Sequence, residues 1–312
     1  MADGRTQKIW RDGVLVDWGD ATLHVMSHAV HYGSSVFEGI RCYETPQGGA
    51  IFRLQDHMRR LHDSARIYRM ALPYSVEALS RASVETVAAN DLKACYLRPL
   101  VLRSGEQMGI DPAGTPIETF IIAWKWGTYL GQSALKDGVD VGVSSWRRAA
   151  PDTFPSLAKA GGNYLNSQLA KMEAKLEGYA EGIMLDSFGY VGEGSGQNLF
   201  LVRDGTLYTP QVSSAILNGI TRDSVMTIAR DLGIPVKEMQ MPRELLYMAD
   251  ELFFTGTAAE LTPIRSVDHI AVGSGKPGDI TRAIQERYLG ICTGTVDDVH
   301  GWLTPVPSAV TA

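Results

Sequence analysis

A mixed α and β fold (α+β) in two domains is what this sequence predicts, on three observations. Short β-like runs alternate with stretches of helical periodicity. The length of 312 residues exceeds the roughly 100 to 200 usual for one domain. The segment GQSALKDG at 131–138 is polar and bounded by glycines, as a linker would be. Residues 1–125 then form an N-terminal α+β domain, 126–138 an interdomain loop and 139–312 a C-terminal domain.

IFRL at 51–54 has the composition of a strand, and QDHMRRLHDSARIYRMAL places Met58, Leu61, Ala65 and Tyr68 at helical spacing. Ser75 offers an N-cap for the helix pattern VEALSRASVETVAAN, and ACYLRPLVLRSG and ETFIIAWKW predict two further strands. Beyond the linker come the strand-like runs VDVGVSSW, GIMLD, NLFLV, TLYTP and ELFFTGT, with helices predicted over 163–177, 222–232 and 243–249. In the first of these helices Leu165, Leu169, Met172 and Leu176 form an apolar stripe that should face a core, Gly178 suits the C′ position, and Lys171 and Lys175 should project into water.

Composition narrows the function. A hydrophobic fraction of 45% with 21% charged residues describes a globular chain, and a net charge of −6 without a basic block gives no footprint for nucleic acid or an anionic membrane. Cys42, Cys95 and Cys292 have no CxxC spacing and the His residues no HExxH pair, so no metal site is expected. The longest apolar runs, such as FIIAW, are too short to span a bilayer, and MADGRTQKIWRDG lacks a signal-like apolar region. A cytoplasmic protein acting on small molecules is the expectation.

Three segments carry candidate chemistry. Lys159 lies between Ala158 and Ala160, ahead of a Gly-Gly pair and outside the helix that carries Lys171 and Lys175. An amine confined among small residues loses hydration, its pKa falls, and it becomes a nucleophile toward a carbonyl. A lysine whose stem snorkels along an apolar surface fits the same spacing. In GYVGEGSGQNLFLV, glycines at 192, 194 and 196 flank Glu193. A dinucleotide fingerprint needs GxGxxG followed by a helix, whereas here the spacing is GxGxG and a strand follows. Glu193 is either a carboxylate held near a ligand, where a protonated ring nitrogen would partner it, or an exposed loop residue. In LNGITRDSVMTIARDLG, Thr221 can cap a helix starting near Arg222, leaving the amides of Ile220 and Thr221 as an anion site. Gly256-Thr257-Ala258 supplies a second small-residue turn, and Arg60 a cation.

Together HVMSHAVHYGSSVFEGIRCY, FRLQDHMRRLHDSA, CYLRPLVLRSGEQMGIDP, SSWRRAAPDTFPSLAKAGGNYLNS, GYVGEGSGQNLF, LNGITRD and FFTGTAAEL resemble the fold type IV pyridoxal-phosphate enzymes over nearly the whole chain, most closely the bacterial branched-chain amino acid aminotransferases. The resemblance implies a two-domain fold of the D-amino acid aminotransferase kind, with pyridoxal 5′-phosphate at the domain interface. By it, Lys159 forms the Schiff base and serves as general acid and base, Glu193 pairs with the pyridine nitrogen, Tyr164 contacts the phenolic oxygen and Leu217 packs against the ring. Arg60, Gly219, Ile220, Thr221, Gly256 and Thr257 correspond to the phosphate cradle. Ping-pong transfer between L-leucine, L-isoleucine or L-valine and 2-oxoglutarate follows.

Lysine and glutamate are shared with D-amino acid transaminases and aminodeoxychorismate lyases, so the substrate is indicated by Cys95-Tyr96-Leu97-Arg98, which matches the branched-chain members. There Tyr96 helps hold the α-carboxylate near the amides of Thr257 and Ala258, and Arg98 receives the side-chain carboxylate of glutamate. Phe37, Tyr32, Trp126, Tyr129, Met108 and Ile110 match pocket-lining positions, some contributed by a neighbouring subunit, and Gly39 keeps space open. A homo-oligomer of at least two copies is implied, with a hexamer as the larger alternative. Two departures are Asn218, where some relatives have proline, and Gln197, which replaces an acidic residue. Outside this resemblance, a nucleotide-dependent oxidoreductase and a non-catalytic phosphate-binding protein are the rival readings.

Overall fold

A computed structural model describes residues 6–127 and 131–307. In chain order the elements are β1 (Lys8–Arg11), β2 (Val14–Asp17), α1 (His28–Tyr32), β3 (Ser35–Phe37), β4 (Ile40–Thr45), β5 (Gly48–Phe52), α2 (Leu54–Ile67), α3 (Val76–Ala89), β6 (Cys95–Arg103) and β7 (Ile117–Trp124). There follow α4 (Gln132–Asp137), β8 (Val139–Val143), α5 (Tyr164–Leu176), β9 (Glu181–Leu185), β10 (Val191–Gly194), β11 (Asn198–Arg203), β12 (Thr206–Pro210), α6 (Ile220–Asp231), β13 (Val236–Met239), β14 (Glu251–Gly256), β15 (Glu260–Val267), β16 (Ile270–Ala271), α7 (Asp279–Cys292) and β17 (Leu303–Pro305).

The chain forms two compact units. One takes the chain up to Trp126, Ala158–Gly162 and the chain from Gly290 onward; the other takes Gly127–Leu157 and Asn163–Leu289. Residues 158–162 and the C-terminal segment, placed with the second domain from sequence, cluster with the first because they pair with it: Ala160 bridges Val36, and β17 pairs antiparallel with β5. Within the 126–138 stretch expected as a loop, 132–137 coil into α4 with Ala134 buried.

The first unit holds a sheet in the order β17-β5-β4-β6-β7-β1-β2, with β3 also on β6. The helix predicted after IFRL is α2, which buries Leu54, Met58, Leu61 and Ala65 at steps of four, three and four. Ser75 caps α3 as expected, its side chain accepting from the amide of Ala78 at 3.2 Å. Strand β6 pairs with β4 through Cys95–Leu97 and with β3 through Leu100–Leu102. Pro99 falls between the two partners, where its missing N–H costs no ladder bond. Its carbonyl instead accepts from the amide of Glu38, in the two-residue break between β3 and β4.

The second unit holds a sheet in the order β10-β9-β8-β15-β14-β11-β12-β13, parallel at β8–β9, β8–β15 and β12–β13. Its core is built on Val141, Ile183, Leu199, Leu201, Phe254 and Ile264. Here α5 departs from its predicted orientation. Leu165, Met172 and Leu176 are 67%, 53% and 89% exposed, and the buried face is Ser167, Ala170 and Ala174. A Cβ on Gly182 of β9 would lie 3.1 Å from the carbonyl of Ala170, so helix and strand approach too closely for leucines between them. Lys171, expected in water, turns to β9 and donates to Glu181 at 2.9 Å and to the carbonyl of Ala180 at 2.6 Å.

Two further differences concern helices. The span expected at 243–249 is one 3-10 turn, Arg243–Tyr247. The 14-residue α7 was not anticipated, although Ile284, Tyr288 and Ile291 are buried at helical spacing. Its start is capped from far away: Glu251 accepts from the amides of Ile280 at 3.1 Å and Thr281 at 2.7 Å. Among the described residues no helix is long and apolar enough to cross a membrane.

Candidate active site

Lys159 is clamped through its backbone. Its amide donates to the hydroxyl of Ser64 at 3.0 Å and its carbonyl accepts from the amide of Phe37 at 3.0 Å. Flanking Ala158 and Ala160 are buried, and the amine lies 5.2 Å from the centroid of the Phe37 ring. The confinement read from the small neighbours is therefore present, and the fastening is to β3 and α2.

One face of α2 carries His57, Arg60 and Ser64, at i, i+3 and i+7. Arg60, expected to meet a phosphate, forks onto Glu38, with Nε at 2.7 Å from one carboxylate oxygen and Nη2 at 2.8 Å from the other. His57 Nδ1 lies 2.6 Å from Glu38, and the amide of Gly39 donates to it at 3.3 Å. Glu38 is wholly buried. Burial alone would push its carboxyl up, but Arg60 and then His57 outweigh it and hold it well below the usual carboxylate range. Burial lowers His57 from its ordinary 6.5, against the pull of Glu38 and with Arg60 and Lys159 adding to the decrease. Glu38, His57 and Ser64 were missed from sequence.

Phe37, Tyr96, Arg98 and Trp126 come together in the same unit. The Arg98 guanidinium carbon stands 4.6 Å over the Phe37 ring, 5.7 Å from that of Tyr96 and 5.8 Å from that of Trp124, while Trp126 meets Tyr96 edge-on at 4.6 Å. Arg98 Nε is buried without a hydrogen-bond partner, as a cation held by ring faces would be. Gly39 was expected to leave space open; that space is taken by Tyr96, whose hydroxyl would lie 2.0 Å from a Cβ at 39. Tyr32, Met108 and Ile110 are not part of this cluster. They are exposed, with the Tyr32 hydroxyl accepting from the amide of Gly109 at 3.2 Å. Tyr129 lies outside the described residues.

In the second unit Glu193, on β10, is buried and surrounded by donors. Arg148 lies 3.0 Å from Oε1, Asn198 Nδ2 donates to Oε2 at 2.8 Å, and the amide of Leu217 approaches both oxygens at 3.3 and 3.2 Å. The exposed-loop alternative is thereby excluded. Asn198 also donates to the Leu217 carbonyl at 2.9 Å, tying the strand to the segment ahead of α6. Neither Arg148 nor Asn198 was singled out from sequence.

Helix α6 begins at Ile220, with Gly219 as an extended N-cap and no side-chain cap, so Thr221 belongs to the first turn rather than capping it. A Cβ at 219 would lie 1.9 Å from Asn198 Oδ1, which is why the cap is a glycine. Ile220 and Thr221 are buried, and their amides form the uncapped positive end of a helix of 12 residues. Thr257 and Ala258 lie in the turn joining β14 to β15, and Gly256 ends β14 3.6 Å from the Gly196 carbonyl by its would-be Cβ. Tyr164 opens α5 after Asn163, whose side chain donates to the Pro155 carbonyl at 3.2 Å.

Gly219→Ala forces Asn198 to rotate, and that amide is buried and committed to Glu193 and Leu217, so the variant is expected to lose about 1–3 kcal/mol of stability in thermal unfolding. Adding Asn198→Ala should recover part of the steric loss; strictly additive losses would show that Asn198 is not the obstacle.

Residues 35–267 match the family model of amino-transferase class IV, and the chain belongs to that family. Within it, the chain is 51% identical over 307 residues to the branched-chain-amino-acid aminotransferase of Escherichia coli (strain K12), covering 98% of this chain and 99% of that protein. The counterpart from Pseudomonas aeruginosa is 47% identical over 306 residues, 98% of this chain and 99% of that one. A crystal structure of the Escherichia coli branched-chain amino acid aminotransferase superposes with a TM-score of 0.95 over 97% of this chain and 100% of its own. That of the T.th. branched-chain amino acid aminotransferase with pyridoxamine 5′-phosphate gives 0.93 at 47% identity, over 97% and 99% of the two chains.

Proposed function

We propose that this chain is a branched-chain amino acid transaminase, moving the amino group between L-leucine, L-isoleucine or L-valine and 2-oxoglutarate with pyridoxal 5′-phosphate as cofactor. The observation that carries the reading is Lys159, an amine whose backbone is fastened at both N–H and C=O in a chain half identical to enzymes of that name.

The residues fit that cofactor. Glu193 is a buried carboxylate fed by Arg148 and Asn198, suited to a ring nitrogen that bears a proton, and Leu217 sits beside it. Arg60 is a cation fixed by a buried fork, and the amides of Ile220 and Thr221, with the Gly256-Thr257 turn, are donors for a phosphate. Tyr164 would meet the phenolic oxygen. When bound, the cofactor supplies an electron-withdrawing ring that accepts the charge released at the substrate Cα.

The chain's own residues do the rest. The Lys159 amine would anchor the cofactor covalently and, freed when substrate takes its place, would accept the Cα proton and pass it on to the cofactor, acting as base and then acid. Glu193 would hold the proton at the ring nitrogen. Phe37, Tyr96 and Trp126 offer apolar walls for a branched side chain, and Arg98, held by ring faces rather than by a carboxylate, is a cation available to the second carboxylate of glutamate. Tyr96, with Thr257 and Ala258, would hold the α-carboxylate. Exposed Tyr32, Met108 and Ile110 suit a contribution to a neighbouring copy, in a cytoplasmic homo-oligomer of at least two chains.

The test has two arms. Borohydride reduction of the yellow holoenzyme followed by peptide mapping is expected to find cofactor on the peptide bearing Lys159; label on Lys171 or Lys175 would overturn the assignment. A coupled assay should show turnover of L-leucine with 2-oxoglutarate. Turnover of D-alanine or aminodeoxychorismate alone would make the chain a D-amino acid transaminase or lyase.

A further inference from the structure

Glu193 does not stand alone. The guanidinium of Arg148 reaches it with Nη2 at 3.0 Å, and the same group donates through Nε to the carbonyl of Ala215 at 3.0 Å. Both side chains are almost wholly removed from water, at 10% and 8% exposure, so the pair is little screened. Ala215 has a φ of 56°, a left-handed value unfavourable for a residue with a Cβ, and it lies two positions before Leu217, whose amide also meets Glu193. The stem of Arg148 passes over Gly192, where a Cβ would stand 3.3 Å from its Cγ and 3.1 Å from the carbonyl of Met184. Strand β10 is therefore glycine at the point where the arginine crosses it. Asn198 closes the loop from the other side, joining Glu193 to the Leu217 carbonyl.

We propose that Arg148 is a positioning residue that acts through Glu193. Its fork ties the carboxylate to the strained turn ahead of α6, fixing the direction of the carboxylate, and its charge limits how strongly that carboxylate draws the ring proton of the cofactor. A neutral donor at 148 would leave Glu193 the more basic partner; a cation leaves the proton with the ring. The inference rests on the proposed function, because it supposes a protonated ring nitrogen at Glu193.

The test uses holoenzyme carrying Arg148→Gln or Arg148→Lys, read by the pH midpoint of the visible cofactor band and by visible circular dichroism per bound cofactor. Loss of a nearby positive charge eases proton retention, so R148Q should raise the midpoint by about one pH unit. R148K keeps the charge and loses the second contact, so its midpoint should stay near wild type while its visible dichroism falls by about half. An unchanged midpoint in R148Q, or wild-type dichroism in R148K, overturns the proposal. If R148Q does not fold, R148K decides alone through its dichroism. A wild-type protein with no visible band that borohydride bleaches would refute the functional reading instead, which separates the two failures.

Discussion

Replacing Lys159 by alanine is expected to lower amino transfer from L-leucine to 2-oxoglutarate by about 10⁴-fold or more, since in the proposed reaction one side chain carries both the covalent anchor and the proton at Cα. General acid–base catalysis alone accounts for roughly 10² to 10⁴. The loss should fall on kcat in steady-state assays with added cofactor. The amide and carbonyl of residue 159, which bond to Ser64 and Phe37, survive the substitution, so the variant should fold and melt close to wild type. The control is Lys175→Ala, on the exposed side of α5, which should transfer nitrogen at the wild-type rate. A Lys159→Ala enzyme retaining a tenth of the activity would remove this lysine from the chemistry.

The confinement of Lys159 was legible in sequence because its signal is local, namely small neighbours, a Gly-Gly pair and a position ahead of a helix, whereas its role was indicated by the family resemblance alone. Lys171 was not, because what removes it from water is Glu181, a residue whose burial depends on β9 pairing beside α5. The same cause inverted α5. Its leucines have faultless helical spacing, yet Gly182 brings the strand so close that only the serine and alanine face fits against it. Periodicity reports that a helix has an apolar side; how near the partner stands is set by tertiary structure. The start of α7 was hidden likewise, since its cap, Glu251, lies on β14. Among the candidate residues, the types that announce chemistry were visible, namely Lys159, Glu193, Arg60 and Arg98. The residues that bond to the first three, Arg148 and Asn198 to Glu193, Glu38 to Arg60 and Ser64 to Lys159, with His57 on Glu38, are defined by partners 5 to 95 positions away in the chain.

Of these hidden residues Glu38 should matter most to stability. Glu38→Ala leaves Arg60 without its fork and the buried His57 without its partner, the situation in which breaking a buried ion pair costs about 3–5 kcal/mol. Thermal unfolding of the holoenzyme should then fall by roughly 10 °C. Glu38→Gln, which keeps an acceptor and loses the charge, should lie between. The dependence on pH has a definite sign. The Glu38 carboxyl is held below its ordinary 4.5, so its contribution is complete above that value and is lost as pH falls beneath it. His57 is lowered from 6.5, so the unfolded chain takes a proton there before the native one does, and wild-type stability begins to decline below about that pH. The gap between wild type and Glu38→Ala should therefore narrow on acidification below 4.5, because only wild type still has that carboxylate to lose. A gap that stays the same from neutral pH into this acid range would mean that Glu38 contributes shape rather than charge, and that Arg60 is oriented by something else.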